Sequence, residues 1–325
     1  MRARLTAFIA TPAAAGSRNG NRVTALRWAK RLRELGWHVR VGKRWGGEPC
    51  DVLIGLHARR SHDSIARHAE RWPASPRVVA LTGTDLYGDI EHDADAQASL
   101  ALATRLVVLQ PLGIRRVPEH LAHKVRAIRQ SAVAPREPLR VTPPEAFVAC
   151  VVGHLREVKD PLLAARAVQL LPSNSQIRVL HLGAALDPSW QVRAQEAQRV
   201  TAPRWTWLGD RARTEALRIV AGADVLVLTS VQEGGANAIT EAIACGVPVL
   251  STRIEGSLGI LGEDYAGYFA VGDASDLADR LHRCETDRAF LDTLRRQCAA
   301  LRPLTDPAVE REGWRALLEE IVATG

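Results

Sequence analysis

The stretch ADVLVLTSVQEGGANAITEAIACGVPVLST, residues 223–252, decides how the rest of the chain is read. Its opening run VLVL is short, apolar on both alternating faces and followed by polar residues, as expected of a strand buried on two sides. AITEAIAC then repeats its apolar positions at helical spacing. Asn237 is the expected N-cap of that helix, Gly246 ends it, and Pro248 prevents it from continuing. PVLST returns to strand. Strand, loop, helix and strand in this order form one unit of a parallel sheet, in which ligands sit outside the carboxyl ends of the strands.

The loop at that end, VQEGGAN, carries an unusual mixture. Gly234 and Gly235 allow a ligand close to the backbone, and the amide groups at the helix start, with the helix dipole, favour an anion. Glu233 and Glu241 would repel that anion. They make sense if each carboxylate accepts hydrogen bonds from hydroxyls on either side of phosphates: Glu233 from a sugar, Glu241 from a ribose. A nucleotide-sugar has its groups in that order. The plainer alternative is a polar loop followed by an ordinary helix glutamate.

Outward from this stretch the same alternation runs along the whole chain. LTAFIA (5–10), WHVRV (37–41), DVLIGLH (51–57), RVVALTG (77–83) and RLVVLQ (105–110) read as buried strands, with helical or polar segments between them. AVAPREPLRVTPPE (132–145) holds four prolines, has no periodicity and reads as a linker. FVACVVGH (147–154), QIRVLHLG (176–183), RWTWLGD (204–210), ADVLVLTS (223–230) and PVLST (248–252) restart the pattern. The expected fold class is α/β: two Rossmann-like doubly wound domains, 1–135 and 146–305, facing across a cleft. The final segment, 306–325, is expected to be a helix packing back toward the first domain.

Composition fits two domains of this kind. The chain has 325 residues, 46% hydrophobic and 24% charged, enough for two cores. Five scattered cysteines, without a C-x-x-C, suit neither a disulfide framework nor a zinc site, so a reducing, cytoplasmic setting is expected. The N-terminal MRARLTAFIATPAAAGS imitates an export signal, but its apolar run is short and proline-closed, and it reads as a first strand. No run is long enough for a membrane span. Residues 1–135 carry 22 Lys/Arg against 11 Asp/Glu, while the remainder carries 21 against 25. The basic half is therefore expected either to meet something anionic or to carry an arginine-rich, merely solvated surface. Nucleic acid is not expected, because no basic run is interleaved with aromatics.

Two loops of the basic half follow strands directly. TPAAAGSRNGNR (11–22) places Gly16, Ser17, Arg18, Asn19 and Gly20 before the first helix as a candidate anion cradle, with Arg22 beside it. LHARRS (56–61) places His57, Arg59 and Arg60 at the expected rim, where two arginines can hold a phosphate-like dianion.

EGGANAITEAIACGVPVLST resembles the donor loop of family 4 glycosyltransferases of the GT-B fold, marked by two glutamates with seven residues between them. VGHLREVKDP (152–161) is similar to the diphosphate clamp of the same family. The resemblance implies that Lys159 meets the diphosphate, that either His154 or Arg156 assists it, and that Glu233 contacts the sugar during transfer. It implies donor contacts from Gly234, Gly235, Ala236, Asn237 and Glu241, with Gly209 bordering the uracil. LTGTDLY (81–87) matches the stretch where many members carry His-Gly-x-Asp; Thr82 stands for the histidine, while Gly83 and Asp85 keep the frame. The N-terminal stretches GSRNGNRVTALRWAKRLRELG, LHARRSHDSIARH and LTGTDLY resemble a narrower group, the selenosugar synthases of selenoneine biosynthesis. That resemblance implies transfer of a UDP-sugar, with UDP-N-acetylglucosamine expected, to selenophosphate. No cofactor and no metal are expected, and Asp93 and Asp95 read as a helix start. An ordinary transferase to a hydroxyl acceptor and a non-catalytic nucleotide-sugar sensor remain as alternatives.

Overall fold

A computed structural model describes residues 4–323; the outermost residues of the expected first domain (1–3) and terminal helix (324–325) lie outside this range. Two compact units form. The first holds residues up to Ser131, the tripeptide Glu233–Gly235 and the segment from Pro307 onward; the second holds Ala132–Gln232 and Ala236–Asp306.

The first unit is built on a six-stranded sheet of β1 (Thr6–Ala10), β2 (His38–Gly42), β3 (Val52–Leu56), β4 (Arg77–Leu81), β5 (Arg105–Val108) and β6 (Val125–Ala127), in the order β2-β1-β3-β4-β5-β6. Every pairing is parallel. All five residues of β3 are buried, which is why its sequence is a continuous apolar run without alternation. One face is covered by Trp28 and Leu32 of the helix Gly20–Glu34 and by Trp314, Leu317 and Ile321 of the helix Pro307–Ala323. Trp28 and Trp314 meet edge to face at 4.7 Å. The other face packs Ile65, Leu86 and Leu100. Each such side chain, fully buried, contributes about 1.5–3 kcal/mol.

The second unit repeats the plan with β7 (Phe147–Val152), β8 (Ile177–Leu182), β9 (Trp205–Gly209), β10 (Val225–Leu228), β11 (Val249–Thr252) and β12 (Tyr268–Phe269), in the order β12-β11-β10-β7-β8-β9. Again every pairing is parallel. The expected strands are all present. The two unexpected ones, β6 and β12, have three and two residues, too short for periodicity to show. No helix or strand lies between Ala127 and Phe147, where the prolines of 132–145 fall.

Strand order fixes where chemistry can occur. In each sheet the chain reverses its direction of winding at one point, and the loops leaving the two strands there diverge to opposite faces and open a crevice. In the first unit that point lies between β1 and β3, and in the second between β7 and β10. The loops concerned are 11–19 and 57–61 in the first unit, and 153–161 and 229–237 in the second.

Candidate functional site

In the second unit the two crevice loops are tied together by their backbones. Thr229 Oγ1 donates to the carbonyl of Lys159 at 2.7 Å, and the Val231 amide donates to the Val158 carbonyl at 2.9 Å. Lys159 closes a single tight turn, Glu157–Lys159, and its chain runs past Gly153, where an added Cβ would stand 3.8 Å from Lys159 Cδ. His154 Nδ1 accepts the Ala184 amide at 3.0 Å. A ring held in this way carries its proton on Nε2 and is a hydrogen-bond donor there. Arg156 is exposed, and its guanidinium pairs with no carboxylate among the described residues. Lysine, histidine and arginine thus leave one loop at the sheet's switch point, a set of donors suited to a diphosphate.

Beneath this loop lies a residue that the sequence did not single out. His181 on β8 is 1% exposed, and its Nε2 bonds the Gly153 carbonyl at 3.0 Å. Burial pushes its pKa down to about 4, so near neutral pH the uncharged ring donates and holds the loop's first residue. The opposing loop is as tight. A Cβ at Gly183, which has φ +152°, would fall 1.9 Å from the Gly153 carbonyl oxygen. Gly209, at φ +71°, ends β9 and gives its carbonyl to the Gly183 amide.

The helix Asn237–Cys245 starts at its expected cap residue, one position earlier than the sequence suggests. Ala236 occupies the N-cap position, with extended φ −73° and ψ 102°, and Asn237 is the first helical residue. No side chain caps this helix; the amides of Ile239 and Thr240 bond the Ala236 carbonyl at 3.1 and 3.3 Å, and the helix dipole at this end favours an anion. Gly246 ends this helix in the left-handed conformation, at φ +75°. Glu241 is 9% exposed, and its Oε1 accepts Arg213 Nη2 at 2.8 Å.

Glu233, Gly234 and Gly235 pack within the first unit. A Cβ at Gly234 would lie 2.5 Å from the Thr82 carbonyl carbon, and one at Gly235 would lie 2.5 Å from Leu109 Cβ. The sequence reading reserved these glycines for a ligand's approach. In the structure the backbone that comes close is that of Thr82 and Gly83.

The first unit's crevice loops differ from expectation in a consistent way. Asn19 caps the helix Gly20–Glu34 by accepting the Arg22 amide at 3.0 Å, and Gly16 turns the preceding loop at φ +85°. Ser17 Oγ is buried with no hydrogen-bond partner, as is Oγ1 of Thr11, a residue the sequence reading missed although it directly follows β1. Arg18 directly follows Ser17 in the chain. Arg22 is half-buried and has no carboxylate partner among the described residues.

His57 was expected at a rim and is instead 2% exposed, in a left-handed conformation at φ +74°, which is strained for a residue other than glycine. Its Nδ1 lies 3.4 Å from the Arg60 amide, and its Nε2 lies 3.0 Å from Thr84 Oγ1. Burial lowers its pKa, against the opposing pull of Asp85. Asp85, expected to meet the acceptor, is fully buried and accepts the amides of Thr82, Gly83 and Ala58 at 2.8–2.9 Å. It is a brace that joins the loops after β3 and β4, and those amides are spent on it. Arg59 is paired with Asp89 at 3.2 Å and lies 3.9 Å from Asp93. Arg60 is exposed and carries no carboxylate partner among the described residues. Asp93 caps the helix Ala94–Leu102 through the Ala96 amide.

Residues 140–300 match the family model described as Glycosyl transferases group 1. Among curated proteins, the D-inositol 3-phosphate glycosyltransferase of Mycobacterium leprae (strain Br4923) is 28% identical over 150 residues, which is 43% of this chain and 34% of that protein. The corresponding protein of Mycobacterium marinum is 31% identical over 117 residues, 35% of this chain and 24% of its own. The chain thus spans about a third of the length of the curated relatives it matches. Among solved structures, Anabaena Alr3699/HepE in complex with UDP and glucose superposes with a TM-score of 0.77 at 15% identity, covering 98% of this chain and 100% of that one. The sucrose-phosphate synthase of Thermosynechococcus elongatus gives 0.79 at 16% identity, covering 99% and 100%. At these identities the likeness concerns the fold, which is the GT-B arrangement of two Rossmann-like parallel-sheet units. Among the described residues no helix is long and apolar enough to cross a membrane.

Proposed function

From a second unit that carries a group 1 glycosyltransferase segment, we propose that this protein transfers a sugar from a UDP-sugar to a small anionic nucleophile. The nucleophile we assign is selenophosphate, and the donor UDP-N-acetylglucosamine. The nucleotide's diphosphate is held by Lys159, His154 and Arg156, with the uncapped start of the helix Asn237–Cys245 beside them. Glu241 takes the ribose, and Glu233 the sugar. Selenium attacks the anomeric carbon as the bond from that carbon to the diphosphate oxygen breaks, and UDP departs with the electron pair. A C–Se bond forms. Water then cleaves the Se–P bond, releasing phosphate and the selenosugar.

One observation carries the choice of acceptor. The first unit supplies Arg60 in one crevice loop and Arg22 in the first turn of the helix that follows the other, both without carboxylate partners among the described residues, while the imidazole of His57 is buried and pushed toward its neutral form. Cations suit a nucleophile that is already ionised, whereas a hydroxyl acceptor needs help in losing its proton. The contact of His57 with Thr84 supports the second reading, transfer to a hydroxyl acceptor, because it brings an imidazole near the place where Thr82 replaces a histidine.

Mass spectrometry of a reaction with UDP-N-acetylglucosamine and selenophosphate tests these readings. The expected result is a selenium-bearing sugar together with UDP. Release of UDP only when an alcohol is supplied would favour the hydroxyl acceptor. Binding without turnover under every condition would leave a nucleotide-sugar sensor.

A further inference from the structure

Glu241 occupies an odd place for a carboxylate. The helix Asn237–Cys245 buries Ala238, Ile239, Ala242, Ile243 and Ala244 around it, and an ionised group there is costly unless a cation meets it. Arg213 supplies that cation. It is the first residue of the helix Arg213–Ala221, just beyond the end of β9, and its Nη2 reaches Glu241 Oε1 at 2.8 Å. The two side chains differ in exposure: 11% for Glu241 and 45% for Arg213. The arginine therefore approaches from the solvent side and keeps most of its five N–H donors outside the pair.

We propose that Arg213 is a positioning residue for nucleotide recognition: by holding Oε1 it fixes the carboxylate's rotation and presents Oε2 to the vicinal 2′- and 3′-hydroxyls of a ribose. This rests on the reading of the second unit as a UDP-sugar site and deepens it. An unheld glutamate would have to lose rotamer freedom when the nucleotide bound; a glutamate already locked by a charged hydrogen bond does not. The pair thus makes the site a detector of the diol specifically, separate from the diphosphate contacts of Lys159, His154 and Arg156. A pin that merely joined two helices would contribute to stability and be indifferent to the diol.

The test compares UDP with 2′,3′-dideoxy-UDP by calorimetry on the full chain, in the native protein and in Arg213→Gln and Arg213→Lys. Native protein is expected to prefer UDP clearly. Arg213→Gln should weaken UDP about tenfold, the scale of one hydrogen bond to a charged group, and leave dideoxy-UDP within about twofold. Arg213→Lys should recover part of the loss. Equal losses for both ligands, or no loss for either, would overturn the positioning role while leaving the UDP-sugar site intact. If Arg213→Gln fails to fold, Arg213→Lys and the native ratio decide: a native protein that binds the two ligands alike overturns the inference. Failure of native protein to bind UDP at all would instead bring down the underlying reading.

Discussion

The hydroxyl of Thr229 donates to the main-chain carbonyl of Lys159 across 2.7 Å. The strand end that feeds the donor loop therefore also holds the lysine assigned to the departing diphosphate. Thr229→Val keeps the shape and removes this donor to the Lys159 carbonyl. The expected result is a lower kcat with a nearly unchanged thermal midpoint, and Thr229→Ser should restore kcat. A drop in thermal midpoint that accounts for the whole activity loss would mean that the bond only stabilises the fold.

Lys159 itself carries the larger effect. Removing a charge that stabilises a leaving group costs about 10²–10³ in rate, so Lys159→Ala should reduce turnover by that order. Steady-state UDP release measures it. Unchanged rates would move the diphosphate elsewhere along the β7–β10 crevice.

The acceptor side gives a finer contrast. Arg59 is committed to Asp89, whereas Arg60 and Arg22 have no carboxylate among the described residues. Neutralising Arg60 or Arg22 should therefore raise the acceptor's KM by about tenfold, the worth of a charge-assisted hydrogen bond. Arg59→Ala should change it far less, and the donor's KM should stay level in all three. Initial rates with each substrate varied in turn check this ordering. An Arg59 effect larger than that of Arg60 would reverse the assignment.

These contrasts show where the sequence is legible and where it is silent. The strands could be read because a parallel sheet buried on both faces demands unbroken apolar runs, as in VLIGL and VLVL. The loops could be located because ligand-facing residues follow strands at once, and the observed strand order places 11–19, 57–61, 153–161 and 229–237 at the two switch points. Partnership inside those loops could not be read. Asp85 looks like a ligand residue in LTGTDLY, and only the fold reveals that Ala58, distant in sequence, shares its carboxylate. His57 likewise looks exposed beside two arginines until the chain turns left-handed and tucks it under Thr84. Arg213 and His181 carried no signal at all, since each acts on a residue from another segment.

The terminal helix is fastened by a charge that the sequence did not flag. Glu310 is 1% exposed and accepts hydrogen bonds from Arg27 Nε and Trp28 Nε1 at 3.0 Å each, and from Ser131 Oγ at 2.5 Å. Glu310→Gln removes the negative charge from the buried ion pair with Arg27. Breaking one side of such a pair costs about 3–5 kcal/mol. The first unit should lose that much stability in denaturant unfolding, while UDP affinity of the second unit remains. A loss below about 1 kcal/mol would show that solvent reaches the pair.

Acid should loosen the loop 153–161 through His181. Its folded pKa is lowered from 6.5 to about 4 by burial, so the unfolded chain binds the proton more readily. The stabilisation is fully present above about pH 6.5, falls as pH drops, and is spent by about pH 4. The shift corresponds to about 3 kcal/mol at its full extent. His68, fully buried in the first unit and also lowered to about 4, adds an effect of the same sign there. Amide exchange along β8 isolates the His181 contribution. Protection of those amides should decline between about pH 6.5 and pH 5, above the range where most carboxylates titrate. His181→Gln retains an N–H donor for the Gly153 carbonyl but cannot take up the proton, so its β8 protection should be nearly flat across that window. A native profile as flat as the variant's would show that the ring titrates where it stands and that the loop is held by other bonds.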